Sequence, residues 1–273
     1  MYPVLFHLGP IVVPSYGVMA AVGVLLALAL LLRTARLAEL NPGLLWNLSI
    51  VGLFAALVGS RVLLLVLNWS VVRMHPSWLL SLAMVHHPLL AAIGIAFAIA
   101  AMVPYARARQ LPWRGTADAF AAPVALALAC EQVGALLGGS GYGRETDVRW
   151  AVVYTSPFAM NWSGAPLFDP VHPVQAYAAC AFLMIAGGLL VGMRRIRRPG
   201  DTAGIALLAM SAAVYMTEFF RDAEGRGLFL GGLLDGPQLA AIGLVLLGAF
   251  VLFDRSRVSA TESTPRAAEG GHE

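Results

Sequence analysis

Apolar residues in this chain gather into seven runs separated by short polar breaks, at 14–32, 44–67, 89–105, 118–139, 174–193, 204–220 and 233–253. About 20 apolar residues are needed to cross a hydrocarbon core near 30 Å thick. Backbone groups in lipid must satisfy one another, so runs of this length predict helices rather than barrel strands. The expected fold is all-α: a polytopic membrane protein with seven transmembrane helices in one membrane domain, residues 1–255. Outer loops at about 68–88 and 140–173 are long enough to carry structure. The second holds Pro157, Gly164, Pro166 and Pro170, which argues against a regular helix through it. Residues 256–273 are polar and aromatic-free, and are expected to form a disordered cytoplasmic tail.

Composition agrees with the pattern. The 273 residues are 59% hydrophobic and 12% charged, with a mean hydropathy of +0.76; a soluble domain carries about 25% charged residues. The net charge of +3 does not indicate nucleic-acid binding, because every basic residue is an arginine and the arginines follow the topology. Arg33 and Arg36 follow the first run, Arg107, Arg109 and Arg114 the third, four arginines between 194 and 198 the fifth, and Arg255 and Arg257 the seventh. Breaks after even runs hold Arg73, then Arg144 and Arg149, then Arg221 and Arg226, mixed with acids. The positive-inside rule then puts the N-terminus outside and the C-terminus in the cytoplasm. No basic residue precedes Arg33, so the first run is expected to stay uncleaved. Cys130 and Cys180 fall inside predicted spans and are read as small thiols filling helix interfaces. No Cys/His spacing suggests zinc, and neither a metal nor another cofactor is expected.

The informative polar residues collect at one end of the spans. Tyr16, Arg61, His86, His87, Glu131, Gln132, His172, Gln175, Glu218 and Arg221 lie within or beside apolar runs, at the end assigned to the outer face. A charge in a span costs about 2.5–3.5 kcal/mol on insertion scales, so such residues are rare and mostly functional. Transport would place charges at the midplane or on both sides; here they favour one side. Glu218 and Arg221 are three residues apart, on one helix face. They form either a plain helix-end ion pair or a carboxylate that orients a planar guanidinium for a phosphate. Arg61 lies about 25 Å along its run from Leu44, where it either snorkels or serves a site. Glu131 needs a partner, and Arg61 and Arg221 lie at similar depth. The glycine-rich stretch Gly134 to Gly143, ending at Arg144, either leaves amides open to an anion or is a flexible exit. Gly134-x-x-x-Gly138 and Gly188-x-x-x-Gly192 carry little weight in a chain this rich in small residues. His172 and His87 each stand just before a span, and imidazole is the side chain best suited to exchange a proton at physiological pH.

In order, Tyr16-Gly17, Gly59-Ser60-Arg61, a glycine-rich segment ending Tyr142-Gly143-Arg144, Asp147-x-x-Trp150, His172-Pro173-x-Gln175-x-Tyr177 and Glu218-Phe219-Phe220-Arg221 cover nearly the whole chain. This series resembles the prolipoprotein diacylglyceryl transferase family. The resemblance implies seven spans in a bacterial inner membrane and a site facing the periplasmic leaflet. It also implies a reaction: transfer of a diacylglyceryl group from phosphatidylglycerol to the lipobox cysteine thiol of a prolipoprotein signal peptide, with release of glycerol phosphate.

Departures accompany the matches. Where the family signature has arginine, two asparagines and glutamate, this chain has Gln132, Ala135, Gly138 and Ser140. The family histidine of the third span falls at Leu89, two residues from His87, and a usual glutamate is Ala178. Such chemistry needs a deprotonated thiol and a stabilised leaving phosphate. The expected roles are Arg221 and Arg61, with Arg144, on the phosphate; Glu218 orienting Arg221; His87 or His172 as base; and Tyr16, Gln175, Glu131, Gln132 and Gly143 lining the substrate pocket. Arg61 and Arg221 are expected to share one water-accessible cavity. The alternative is a catalytically impaired paralogue that binds phospholipid or lipoprotein precursor without turnover.

Overall fold

The computed structural model describes residues 2–8, 11–74, 88–196, 198–222, 228–229 and 234–254. Its long helices are α1 (Ser15–Leu37), α2 (Pro42–Leu67), α4 (Pro88–Ala108), α5 (Trp113–Gly138), α7 (Val174–Met193), α8 (Asp201–Glu218) and α9 (Gly236–Phe253). Two shorter helices are α3 (Trp69–Met74) and α6 (Pro157–Ser163). Helix starts follow local chemistry. Asn41 accepts from Gly43 N at 2.8 Å ahead of Pro42 in α2. Asp235 and Gln238 close a reciprocal capping box at the start of α9.

Six helices, α1, α2, α4, α5, α7 and α9, are long and apolar enough to cross a membrane. Large apolar side chains on them face outward, Phe54, Ile95 and Phe250 among them, as a lipid surroundings requires. The chain is therefore a multi-pass helical membrane protein. The sixth expected span, 204–220, corresponds to α8, which is not among the six. Asp201 and Glu218 at its ends lower its hydropathy, and it packs against α9, α7 and α5.

The core is a row of helices with α5 at its centre. α1 runs along α5, α7 lies on another face of α5, and α2 joins α1 while carrying α4 on its far side. Close approach of α1 and α5 depends on small residues: a Cβ at Gly134 would fall 2.9 Å from Met19 Cβ and 3.2 Å from Tyr16 Cα. Of the two spaced glycine pairs, only the one at 134 and 138 makes a helix contact; Gly188 has open space around it. Cys130 sits in the α1–α5 seam, beside Gly23. Cys180 does not fill an interface as expected: it is exposed on α7.

Short β elements supplement the helices. β1 (Val4–Leu8) and β2 (Ile11–Pro14) pair antiparallel ahead of α1, where Ser15 N donates to Pro3 O at 3.0 Å. β3 (Val152–Val153) pairs with β4 (Pro170–Val171), and β5 (Leu228–Phe229) with β6 (Leu234–Asp235). The proline-rich loop contains one helix, α6, confined to seven residues and ended by Gly164 at φ +72°.

Candidate active site

At one end of the bundle, the segment after α5 is held between two others. Gly143 pairs antiparallel with Arg221, Arg144 N donates to Phe220 O at 3.0 Å, and Asp222 N donates to Tyr142 O at 3.3 Å. On its other edge Gly143 N donates to His172 O at 3.2 Å, and His172 N donates to Arg144 O at 3.0 Å. Three stretches far apart in sequence thus form one irregular sheet. A Cβ at Gly143 would fall 2.5 Å from His172 O, so the position admits glycine alone without rearrangement.

Side chains converge on that frame. Arg221 Nη1 pairs with Glu218 Oε1 at 2.9 Å, with side-chain exposures of 17% and 2%. The guanidinium lies over Gly141, where a Cβ would come within 3.4 Å of its Cζ and the backbone takes φ +64°. Arg144, exposed, donates from Nε to Arg221 O at 3.3 Å. His172 Nδ1 lies 3.3 Å from Tyr177 Oη, which accepts from Trp150 Nε1 at 2.7 Å. Phe220 packs edge-on against both rings. Gln175, 1% exposed, donates to Ser140 O at 2.9 Å and lies 3.4 Å from Tyr154 Oη. Burial pushes the Tyr154 hydroxyl up to about 12, with the Gln175 contact pulling slightly the other way.

A second group of residues lies on the α1 side. Tyr16 Oη donates to Glu131 Oε1 at 3.0 Å, and Gln132 Nε2 donates to Glu131 Oε2 at 2.7 Å. Gln132 Oε1 is buried without a hydrogen-bond partner. Beside it opens a mostly apolar cavity of about 650 Å³ between α1, α2, α4 and α5, with Tyr16, Ser60 and Arg61 in its wall.

The structure therefore divides the expected constellation. Arg221, Glu218, Arg144, Gly143, His172 and Gln175 come together around the loop sheet. Tyr16, Glu131 and Gln132 adjoin the cavity that holds Arg61. Arg221 is not among the residues lining that cavity, so the expectation that Arg61 and Arg221 share it is corrected. The carboxylate paired with Arg221 is Glu218, three residues away on its own chain segment, rather than Glu131. His86, His87 and the tail at 256–273 lie outside the described residues. Tyr154, Tyr177 and Trp150 were absent from the expected site, although Tyr177 and Trp150 stand in the motifs quoted for it. Among the described residues no group of three or more His, Cys, Asp or Glu side chains could hold a metal ion.

A bundle of apolar helices with a polar cluster at one end and a mostly apolar cavity among α1, α2, α4 and α5 defines a multi-pass helical membrane protein. The family model described as prolipoprotein diacylglyceryl transferase matches residues 3–253, and the chain belongs to that family. Similar proteins include the phosphatidylglycerol–prolipoprotein diacylglyceryl transferases of Brucella canis and Brucella ovis. Each is 29% identical over 275 residues, covering 94% of this chain and 93% of the relative.

Proposed function

We propose that the protein transfers the diacylglyceryl group of phosphatidylglycerol to the cysteine thiol of a prolipoprotein lipobox, in a bacterial inner membrane, with seven spans and the N-terminus outside. α8 supplies the sixth of these spans and completes the seven. The polar cluster then faces the periplasmic leaflet, where the anionic headgroup and the signal peptide's cysteine meet. The observation that carries this reading is the deep apolar cavity with Tyr16 and Arg61 in its wall, beside a loop sheet that presents Arg221 and Arg144. Acyl chains suit the first part and a phosphate the second.

In this reaction the thiolate sulfur bonds to the terminal glycerol carbon while that carbon's bond to the phosphate oxygen breaks. The bonding pair leaves on the phosphate as glycerol phosphate, and the thiol proton passes to a base. Arg221, held by Glu218, and Arg144 stabilise the charge collecting on the phosphate. The same cationic field favours the thiolate over the thiol. His172 has a more specific role than base. Trp150 donates to Tyr177, whose own hydrogen is then available to His172 Nδ1. A neutral imidazole accepting at Nδ1 carries its proton on Nε2 and donates there. His172 is thus suited to bind a phosphate oxygen, and His87 remains the base of the proposal. Gln175 fixes the glycine-rich turn through Ser140 O.

The test uses purified protein in phosphatidylglycerol vesicles with a lipobox peptide, read by mass spectrometry for a diacylglyceryl adduct on cysteine. Wild type should modify the cysteine peptide and leave its serine version untouched. Arg221→Ala should cut the rate by about 10²–10³. Undiminished yield with that variant would remove Arg221 from the chemistry.

One observation favours the second reading, a paralogue that binds lipid without turnover. Gln132 occupies the position of the family's arginine, and its carbonyl oxygen is buried unpartnered. That reading expects lipid retention with no peptide adduct.

A further inference from the structure

The cavity between α1, α2, α4 and α5 is elongated along the helices, with Leu57, Ile95 and Ile99 of its wall exposed toward the bundle surface. Along α1 its wall runs from Tyr16 to Leu31, 15 residues, or about 22 Å. Along α2 it runs from Arg61 back to Ser49, 12 residues, or about 18 Å. Half of a membrane's hydrocarbon core is about 15 Å deep, so the slot is longer than one leaflet. Its Leu31 end abuts a buried cluster. Leu31, 1% exposed, belongs to a cluster with Ala35, Leu45 and Ala119, and Phe120 rests against that cluster. Met102 closes the α2–α4 side, its sulfur seated over Gly52, where a Cβ would fall 2.5 Å away. Among the described lining residues the one serine at this depth, Ser49, donates its proton to Leu45 O at 2.9 Å. The other end carries Tyr16, Ser60 and Arg61.

We infer that this slot measures acyl-chain length: one fatty chain of the lipid donor runs down it from the Arg61 end and is read against a floor made of Leu31, Phe120 and Met102. The inference rests on the proposed lipid donor occupying the cavity, and adds the residues that select among lipids sharing one headgroup. A chain too long for the slot must bend or leave methylenes outside it. A chain too short leaves apolar wall unfilled, and each methylene deprived of apolar contact weakens binding by about fourfold.

Ala98 lines the slot four residues, or about 6 Å, above Met102 on α4. Ala98→Leu raises the floor and Met102→Ala lowers it. Neither touches the polar cluster, and Met102→Ala avoids disturbing Phe120, which also supports the core.

The experiment places each protein in nanodiscs containing an equal mixture of phosphatidylglycerols with short, medium and long saturated chains. Native mass spectrometry then reads the species that stays bound. Relative to wild type, Ala98→Leu should shift the bound population toward shorter chains by at least tenfold, and Met102→Ala toward longer ones. The same bound distribution in all three proteins overturns the ruler. Peptide-adduct formation is measured in parallel with wild type. A length shift without adduct retains the ruler and sinks the transferase reading; adduct without a length shift does the reverse.

Discussion

The two ends of α8 use carboxylates in opposite ways. At its start, Asp118 of α5 accepts Gly200 N at 2.6 Å and Ala203 N at 2.7 Å, so both oxygens are occupied by backbone amides. This satisfies amides that a helix start leaves unpaired, and it sets a negative charge at the positive end of the helix dipole. At its finish, Glu218 is the last helical residue, nearly fully buried, with its charge at the negative end of the dipole. That position is unfavourable by about 0.3–1 kcal/mol, and burial adds a desolvation cost that only a close cation offsets. Arg221 supplies that cation at 2.9 Å. An acid placed where the helix favours it builds the fold. One placed against the helix's preference is there for the group it holds, and such local conflicts mark functional sites.

Matched substitutions break or sharpen this contrast. Glu218→Gln should lower turnover by about a hundredfold through misplacement of Arg221, with substrate KM less affected than kcat. Asp118→Asn should do the opposite. It should lose about 1–3 kcal/mol of stability, seen as a lower Tm, because the amide meets a backbone N–H with a donor. Turnover per folded molecule should stay near wild type. If Asp118→Asn lost turnover at unchanged Tm, the division between the two ends would fail.

Gly143→Ala tests the frame that presents Arg221. The added methyl must displace His172 O, at an expected cost of about 1–3 kcal/mol, and turnover should fall with it. The smallest effect concerns Tyr154. Its hydroxyl loses its proton near pH 10 when unfolded and only at about 12 when folded. The raised folded value contributes stability that is complete below pH 10 and is lost as pH rises from there toward 12. Tyr154→Phe should flatten thermal stability across that window, as measured by Tm against pH.

The helices were legible in the chain because apolar run length is a strong, local signal. Residues 44–67 and 174–193 coincide with the ends of α2 and α7 to within two residues. The run at 204–220 matches α8 to within three residues, whereas the run at 118–139 begins five residues after α5 does, because Trp113, Arg114 and Thr116 open that helix with few apolar positions. The opening β pair was missed, although two β-rich stretches flank Gly9-Pro10. Within the site, Glu218 with Arg221 could be read from three-residue spacing alone. The loop sheet could not, since Gly143 and Arg221 lie 78 residues apart and nothing local announces their pairing. The glycine pair at 134 and 138 was undervalued for a similar reason, because its partner, Tyr16, sits on another helix.

The most direct test of the account follows phosphorus and peptide together. With phosphatidylglycerol and a cysteine lipobox peptide, wild-type protein should release one glycerol phosphate for each diacylglyceryl adduct formed. Lipid retained on the protein with neither product appearing would contradict it.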